Sequence, residues 1–339
     1  MPLTFRAKVA TVLAWGYLAA TVVVAALLWG LGDRTILGTV LLFMGRWVFL
    51  LPLLVLVPLA AWLRAGLLVP LAAGALIVLV PVMGFRASWR RLLPAPAGER
   101  LRVVTFNVGG DRLPPLMLPS VLDRWQAQIV GFQECGEPLS TVLPRMPGWH
   151  VHLTRDLCFM SRYPIREAAV MDRSALDRVK QSEPDEPGGA GYVVRFVLDG
   201  PTGPIRAANL HLETPRKGLE GLMSRDLRRM RNNTEIRGIE AKLAREWVTT
   251  GSGPLLVLGD FNTPVESAFF RDQWGDFADA FSVAGTGFGI TKHNGWIGAR
   301  IDHVLASDEW HVDRAVVDTQ QLSDHSALIV DVTLRASAR

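Results

Sequence analysis

The sequence predicts an α/β protein: an N-terminal three-helix transmembrane anchor followed by a two-layer α/β sandwich. Three observations predict it. Residues 1–98 are nearly bare of charge, with Asp33 the one acidic residue among them. A Pro/Ala/Gly stretch follows at 93–100 (LPAPAGER), a natural boundary. Beyond it, short apolar and β-branched runs alternate with turns and with segments of helical spacing, the pattern of paired strands with helices between them.

A chain of 339 residues allows about two domains. We expect the anchor over 1–92, with spans at about 9–31, 36–63 and 66–85, a linker over 93–100 and a soluble domain over 101–335. The first apolar run carries no charge and reaches the roughly 20 residues that a crossing needs. The second contains Arg46; its core is read as 47–63, with 35–45 as an entry segment or part of a tilted helix. A cleavable signal peptide fits poorly, because the first run is long and two more follow it. Pro52, Pro58, Pro70 and Pro81 inside the runs suit lipid, where neighbouring helices re-satisfy freed carbonyls. Trp15, Trp29, Trp47, Trp62 and Trp89 lie mostly near run ends, the aromatic-belt position.

Charge divides the same way. The first 98 residues carry eight basic side chains, and the remainder has 28 basic against 31 acidic residues. The basic excess therefore belongs to the anchor, and the mildly acidic soluble part does not favour a grip on nucleic acid. Three spans put Arg6, Lys8 and Arg64 on one side and Arg34, Arg86, Arg90 and Arg91 on the other. By the positive-inside rule this weakly favours a cytoplasmic soluble domain. Cys135 and Cys158 show no metal spacing; they read as two small buried residues, with a disulfide open because each lies in or just after a strand.

Within the soluble part we expect strands at 101–107, 129–133, 255–259, 301–306 and 327–334. Hairpin pairs are expected at 151–153 with 157–161 and at 192–198 with 205–212. Helical spacing marks 116–126, and a long charged helix is expected over 218–248. The stretch 181–191 (QSEPDEPGGAG) reads as a loop. No dinucleotide, P-loop, nucleophile-elbow or HExxH motif occurs, which sets several enzyme classes aside.

Polar, charge-capable residues recur at strand ends. They are Asn107 in VVTFNVGG, Glu134 in IVGFQECG, His211 in AANLHLET, Asp260 and Asn262 in LLVLGDFNTP, Asp302 in RIDHVLAS, and Asp324 and His325 in LSDHSALIV. A carboxylate just past a buried strand is costly unless it meets a metal, a partner or solvent. Strand ends of one sheet lie side by side, so these groups can converge. Carboxylate and amide oxygens suit Mg²⁺ or Mn²⁺ better than zinc. Such an ion neutralises phosphate charge, and the histidines and remaining carboxylates are suited to proton transfer.

This ordered series, with GDFN and SDH downstream of a strand-terminal QE, resembles the endonuclease/exonuclease/phosphatase superfamily, the deoxyribonuclease I-like proteins, across essentially the whole soluble part. The resemblance implies a deoxyribonuclease I-like fold and hydrolysis of a phosphate ester. It implies that Glu134 is the principal metal ligand with help from Asn107, and that Asp324 supports the metal site. It implies that Asp260 activates the attacking water, that Asn262 contacts the phosphate, and that His325, oriented by Asp302, stabilises the transition state. His211 falls where some branches place a second histidine that contacts phosphate or protonates the leaving group. Its expected glutamate partner has no matching motif; the region offers Arg162 and Glu167.

The anchor brings the site to a bilayer, where lipid head groups concentrate. A basic run (Arg216, Lys217, Arg225, Arg228, Arg229, Arg231, Arg237) reads as a solvated helix face or as a head-group clamp. Phe288, Trp296 and Ile297 suit lipid contact as well as packing under a loop. The expected substrate is a membrane-associated phosphoester or pyrophosphate, a phospholipid or a polyprenyl pyrophosphate; the alternative is a membrane-tethered nuclease. Nothing indicates a protein partner. Three spans ahead of this domain resemble bacterial membrane-bound members of the superfamily, some of which act outside the cytoplasm, and this favours an extracytoplasmic site in a multi-pass membrane protein.

Overall fold

The computed structural model describes residues 5–90, 93–110, 112–176 and 192–335. The expected loop at 181–191 lies outside the described residues. The chain forms two compact units: Met1–Phe85 together with Glu266–Ala268, and Arg86–Val265 together with Phe269–Arg339.

In the first unit three helical segments, Phe5–Gly30, Arg46–Leu63 and Ala65–Val82, are long and apolar enough to cross a membrane. Small residues bring them close. Ala10 and Ala14 pack with Tyr17 against Ala60, Leu67 and Leu71, as expected where close van der Waals packing, rather than a hydrophobic drive, holds helices together. A Cβ at Gly74 would come within 2.6 Å of the Tyr17 ring. The opposite faces expose Val12, Leu54, Trp62 and Val69, side chains that suit an apolar solvent. The entry segment is a separate helix, Ile36–Phe43, with the Thr35 hydroxyl accepting from the Gly38 amide at its start. A 3₁₀ turn, Arg46–Leu50, separates it from the helix Leu53–Leu63.

The second unit is built on two six-stranded sheets. The first runs in the order Trp310–Val317, Leu328–Arg335, Gly98–Gly110, Ile129–Cys135, Leu157–Ser161, His150–Thr154. The second runs Ala278–Asp279, Asp302–Ala306, Leu255–Asp260, Gly203–His211, Tyr192–Gly200, Ile165–Val170. They pack face to face around one apolar core that includes Val103, Phe159, Phe196, Leu258, Val304 and Val330. Phe159 and Phe196 stack with ring centroids 3.9 Å apart.

Helices cover the outer faces. Leu118–Trp125 lays Leu118, Val121, Leu122 and Trp125 over Phe106 and Phe132 of the first sheet. Leu227–Thr249 lays Ala244 and Val248 over the second, beside Phe261, Phe270 and Trp274. The expected α/β sandwich is therefore present, each sheet carrying helices on its outer side. That cover explains why Leu101–Val108 is buried on both faces apart from half-buried Arg102.

The helix expected over 218–248 is broken. It forms Arg216–Met223 and Leu227–Thr249, separated by Arg225 at φ +64° and by Asp226, whose carboxylate caps the Arg228 and Arg229 amides. Cys135 and Cys158 form a disulfide, with Cα atoms 5.9 Å apart. Their strands lie in adjacent positions of the first sheet, so the open possibility is the one realised.

Candidate active site

Strand register gathers the polar residues. Gly203–His211 runs parallel to Leu255–Asp260 with His211 beside Asp260, and Asp302 lies beside Asp260 on the other flank. Adjacent strands are about 4.8 Å apart, so one imidazole and two carboxylates form a row across the second sheet. In the first sheet Asn107 stands beside Gln133, with Glu134 next along that strand. His325 lies just before Leu328–Arg335, which pairs with Gly98–Gly110.

Two of these residues occupy left-handed backbone, Glu134 at φ +51° and Asn262 at φ +50°. Non-glycine residues there are uncommon and concentrate at functional sites. The turn at Asn262 is held by its amide donating to Asp260 Oδ1 (2.8 Å) and by its side-chain nitrogen donating to the Leu212 carbonyl (2.8 Å).

Asn107 links the sheets at the site. Its side-chain nitrogen donates to Glu134 Oε1 and to Asp260 Oδ2, both at 3.0 Å, while its oxygen accepts from the Gly109 amide. Beneath it, buried Gln133 donates to Asn209 Oδ1 at 2.7 Å. Asn209 in turn donates to the Phe132 and Cys158 carbonyls. This polar stitch satisfies groups that the inter-sheet core would otherwise strand.

Each histidine is backed by a carboxylate. His325 Nδ1 donates to Asp302 Oδ2 at 2.8 Å, leaving Nε2 3.7 Å from Asp260 Oδ2. Burial works against protonation of His325, but the charge and hydrogen bond of Asp302, with the charge of Asp260, raise its pKa above the ordinary value. Asp302 is held below the usual range: burial opposes this, and the charge and hydrogen bond of His325, with the Thr291 hydrogen bond and the charge of His303, together outweigh it. Asp260 is raised by burial and by the charge of Asp302.

His211 finds the partner that the sequence left open. Its Nδ1 lies 2.9 Å from Asp156 Oδ2. Its Nε2 is 3.7 Å from Asp260 Oδ2 and 3.9 Å from Glu134 Oε1. Burial alone would lower its pKa; the Asp156 hydrogen bond and the charges of Asp260, Asp156 and Glu134 carry it to about 9. Sequence reasoning missed Asp156 because it sits in the turn of a hairpin, where an aspartate is ordinary. Neither residue offered for the role fills it: Arg162 stacks on Trp149, and exposed Glu167 lies on the strand Ile165–Val170.

The expected residues Asn107, Glu134, His211, Asp260, Asp302 and His325 are thus brought together, with Asn262 on the adjoining turn. Asp324 stands apart in its bonding. Its carboxylate pairs with Lys292 Nζ at 2.5 Å and Arg112 Nη1 at 2.9 Å, and its pKa is lowered against burial by Lys292 first, then by His325 and Arg112. Lys292 reaches it because Lys292 forms an isolated β-bridge with His325. Asp260, Asp302 and His325 each offer an atom able to ligate a metal, all within 4.8 Å of one another. The donor chemistry fits a cation on a further ground: the negative charges of Asp260 and Asp302 oppose each other, and a divalent ion relieves such crowding.

Comparison with known proteins gives the family and the fold. The family model described as the Endonuclease/Exonuclease/phosphatase family matches residues 104–325. The chain belongs to that family, whose members hydrolyse phosphate esters. A solved endonuclease/exonuclease/phosphatase from Bacteroides vulgatus is similar in fold at 15% identity and a TM-score of 0.53, with 70% of this chain and 100% of that one covered. The mannosyl-6-phosphatase of Bacteroides thetaiotaomicron VPI-5482 matches at 18% identity and TM-score 0.51, covering 69% and 100%. Humanized D. rerio TDP2 matches at 13% and 0.52, covering 69% and 99%. No curated protein matches the sequence.

Proposed function

We propose that the chain is a membrane-anchored, divalent-metal-dependent phosphoesterase acting on a membrane-associated phosphate ester or pyrophosphate, a phospholipid or a polyprenyl pyrophosphate. The observation that carries the reading is the single cluster of Glu134, Asp260, Asp302, His211 and His325, in a chain that also bears three helices long enough to cross a bilayer. In this reading 1–92 anchor the protein in the membrane, 93–100 link, and 101–335 catalyse.

Glu134 and Asn107 would hold Mg²⁺ or Mn²⁺, with Asp260 close by; the ion, when bound, supplies positive charge against the phosphate and polarises phosphorus. The protein's own groups divide the remaining work. Asp260, with its raised pKa, accepts a proton from the attacking water. The His325 imidazole, its Nδ1 proton committed to Asp302, presents Nε2–H to a non-bridging phosphate oxygen as charge develops there. His211, protonated up to about pH 9 and held by Asp156, delivers a proton to the departing oxygen. The Asn262 turn adjoins this phosphate position. Asp324, neutralised by Lys292 and Arg112, acts by fixing the backbone beside His325.

The Cys135–Cys158 disulfide supports an extracytoplasmic catalytic domain, since disulfides persist in oxidising compartments. It weighs against the charge count around the spans. A nuclease reading has one observation in its favour: a solved TDP2 with a single-strand DNA product shares the fold at TM-score 0.50. The mildly acidic balance of residues 99–339 speaks against it. A substrate panel separates the readings. Lipid pyrophosphate, sphingomyelin, bis-p-nitrophenyl phosphate and plasmid DNA are offered to the purified full chain with Mg²⁺. Turnover of a lipid phosphate well above that of DNA is the expected outcome, and nicking of DNA with no lipid turnover overturns it.

A further inference from the structure

We propose that Asp33 and Arg46 are positioning residues for the catalytic turn, acting through Glu266–Ala268. The proposal rests on the phosphoesterase reading of Asp260. Among the described residues of the apolar stretch 5–85, these two ionisable side chains are buried, whereas Arg6, Lys8, Arg34 and Arg64 are exposed. Asp33 lies in the short 3₁₀ turn Gly32–Arg34, and Arg46 opens the segment Arg46–Leu63; a buried ionisable group is costly unless it is paired. Both are satisfied by the three-residue segment that belongs to the same compact unit. Asp33 accepts from the Ser267 hydroxyl at 2.8 Å and from the Ala268 amide at 3.0 Å. Arg46 donates to Glu266 Oε2 at 3.1 Å and to the Val82 carbonyl at 2.6 Å.

Two glycines make room for these contacts. Gly32 has φ +52°, and a Cβ there would stand 2.7 Å from the Ala268 nitrogen. Gly84 has φ +78°, and a Cβ there would stand 2.8 Å from Glu266 Oε1. The first unit is thus shaped to the backbone and side chains of Glu266–Ala268.

The consequence for catalysis follows from chain continuity. Glu266 is four residues past Asn262, and every residue from 260 to 268 is buried. At the other end of this run, the Asn262 amide is tied to Asp260, and the Thr263 carbonyl lies 3.0 Å from His303 Nε2. A buried run held at both ends has no exposed hinge to absorb a shift, so loosening 266–268 displaces the turn that carries Asp260 and Asn262. Misplacement on the order of 1 Å costs catalysis up to roughly a hundredfold.

The test uses the full chain in detergent micelles, with bis-p-nitrophenyl phosphate as a small soluble substrate so that membrane recruitment does not enter. Asp33→Ala should lower kcat roughly tenfold with KM within about twofold, and should speed hydrogen exchange across 260–268. Asp33→Asn, which keeps an acceptor oxygen, should restore most of both. If Asp33→Ala does not fold, the double variant Arg46→Met/Glu266→Gln removes the ion pair without leaving a lone charge, and the same two readouts apply. Wild-type kcat together with wild-type exchange in a folded variant overturns the proposal. A wild-type chain that hydrolyses no phosphate ester sinks the phosphoesterase reading; exchange at 260–268 then still decides whether Asp33 holds the segment.

Discussion

His325 and His211 share a design in which a carboxylate, buried Asp302 for one and half-buried Asp156 for the other, fixes one ring nitrogen and turns the other toward Asp260. Removing the ring differs from removing its support. His325→Ala should lower kcat by about 10²–10⁴, and Asp302→Asn by less, because an amide oxygen still accepts the Nδ1 proton. Steady-state kinetics beside a thermal melt separates this from unfolding. His211 carries its own signature. Its pKa in the folded chain is about 9, against an ordinary 6.5. The stability it contributes is therefore fully present below about pH 6.5 and is lost as pH rises through about 9. If His211 is the acid, the alkaline limb of kcat should fall near 9, and Asp156→Asn should move it to lower pH. A limb unmoved by Asp156→Asn removes His211 from that role.

At the scale of elements, the two sheets approach closely where Gly131 faces Asn209. A Cβ at Gly131 would lie 2.7 Å from Leu258 Cδ1 and 2.8 Å from Asn209 Oδ1. Gly131→Ala should cost about 1–3 kcal/mol by overpacking, measured by denaturant unfolding, with activity falling too because Asn209 would be pushed away from Gln133, the residue immediately before Glu134. The disulfide spans 23 residues of sequence; its reduction should cost about 3 kcal/mol, read in the same titration with and without reductant. Much of this was legible beforehand. Strand ends were marked by apolar runs stopping at Asn107, His211 and Asp260, because buried strands announce themselves by continuous hydrophobicity. Asp156 and Lys292 were not legible. They reach the site through a hairpin turn and an isolated bridge, and such pairings depend on tertiary register rather than on local pattern. The break at Arg225–Asp226 was missed for a related reason: charged residues favour a helix in composition, while one capping aspartate resets its start.

For the whole molecule, an apolar helical unit and a two-sheet unit are joined in one chain. Asp33 and Arg46 were visible in the sequence as charges in an apolar stretch, yet their partners lie more than 200 positions away, beyond any local reading. A reporter fused at the C-terminus should report the side opposite the cytoplasm; a cytoplasmic signal would reverse the topology and leave the disulfide without an oxidising compartment. A single metal-dependent centre requires strand-end side chains from both sheets to act together. The most direct measurement is hydrolysis of bis-p-nitrophenyl phosphate by the full chain, titrated with Mg²⁺ after EDTA treatment, for the wild type, Glu134→Gln and His325→Ala. Activity should vanish with EDTA and return with Mg²⁺, Glu134→Gln should show a weakened Mg²⁺ dependence, and His325→Ala should lose turnover while the fold survives. Equal turnover in all three proteins, with or without EDTA, would contradict such a centre.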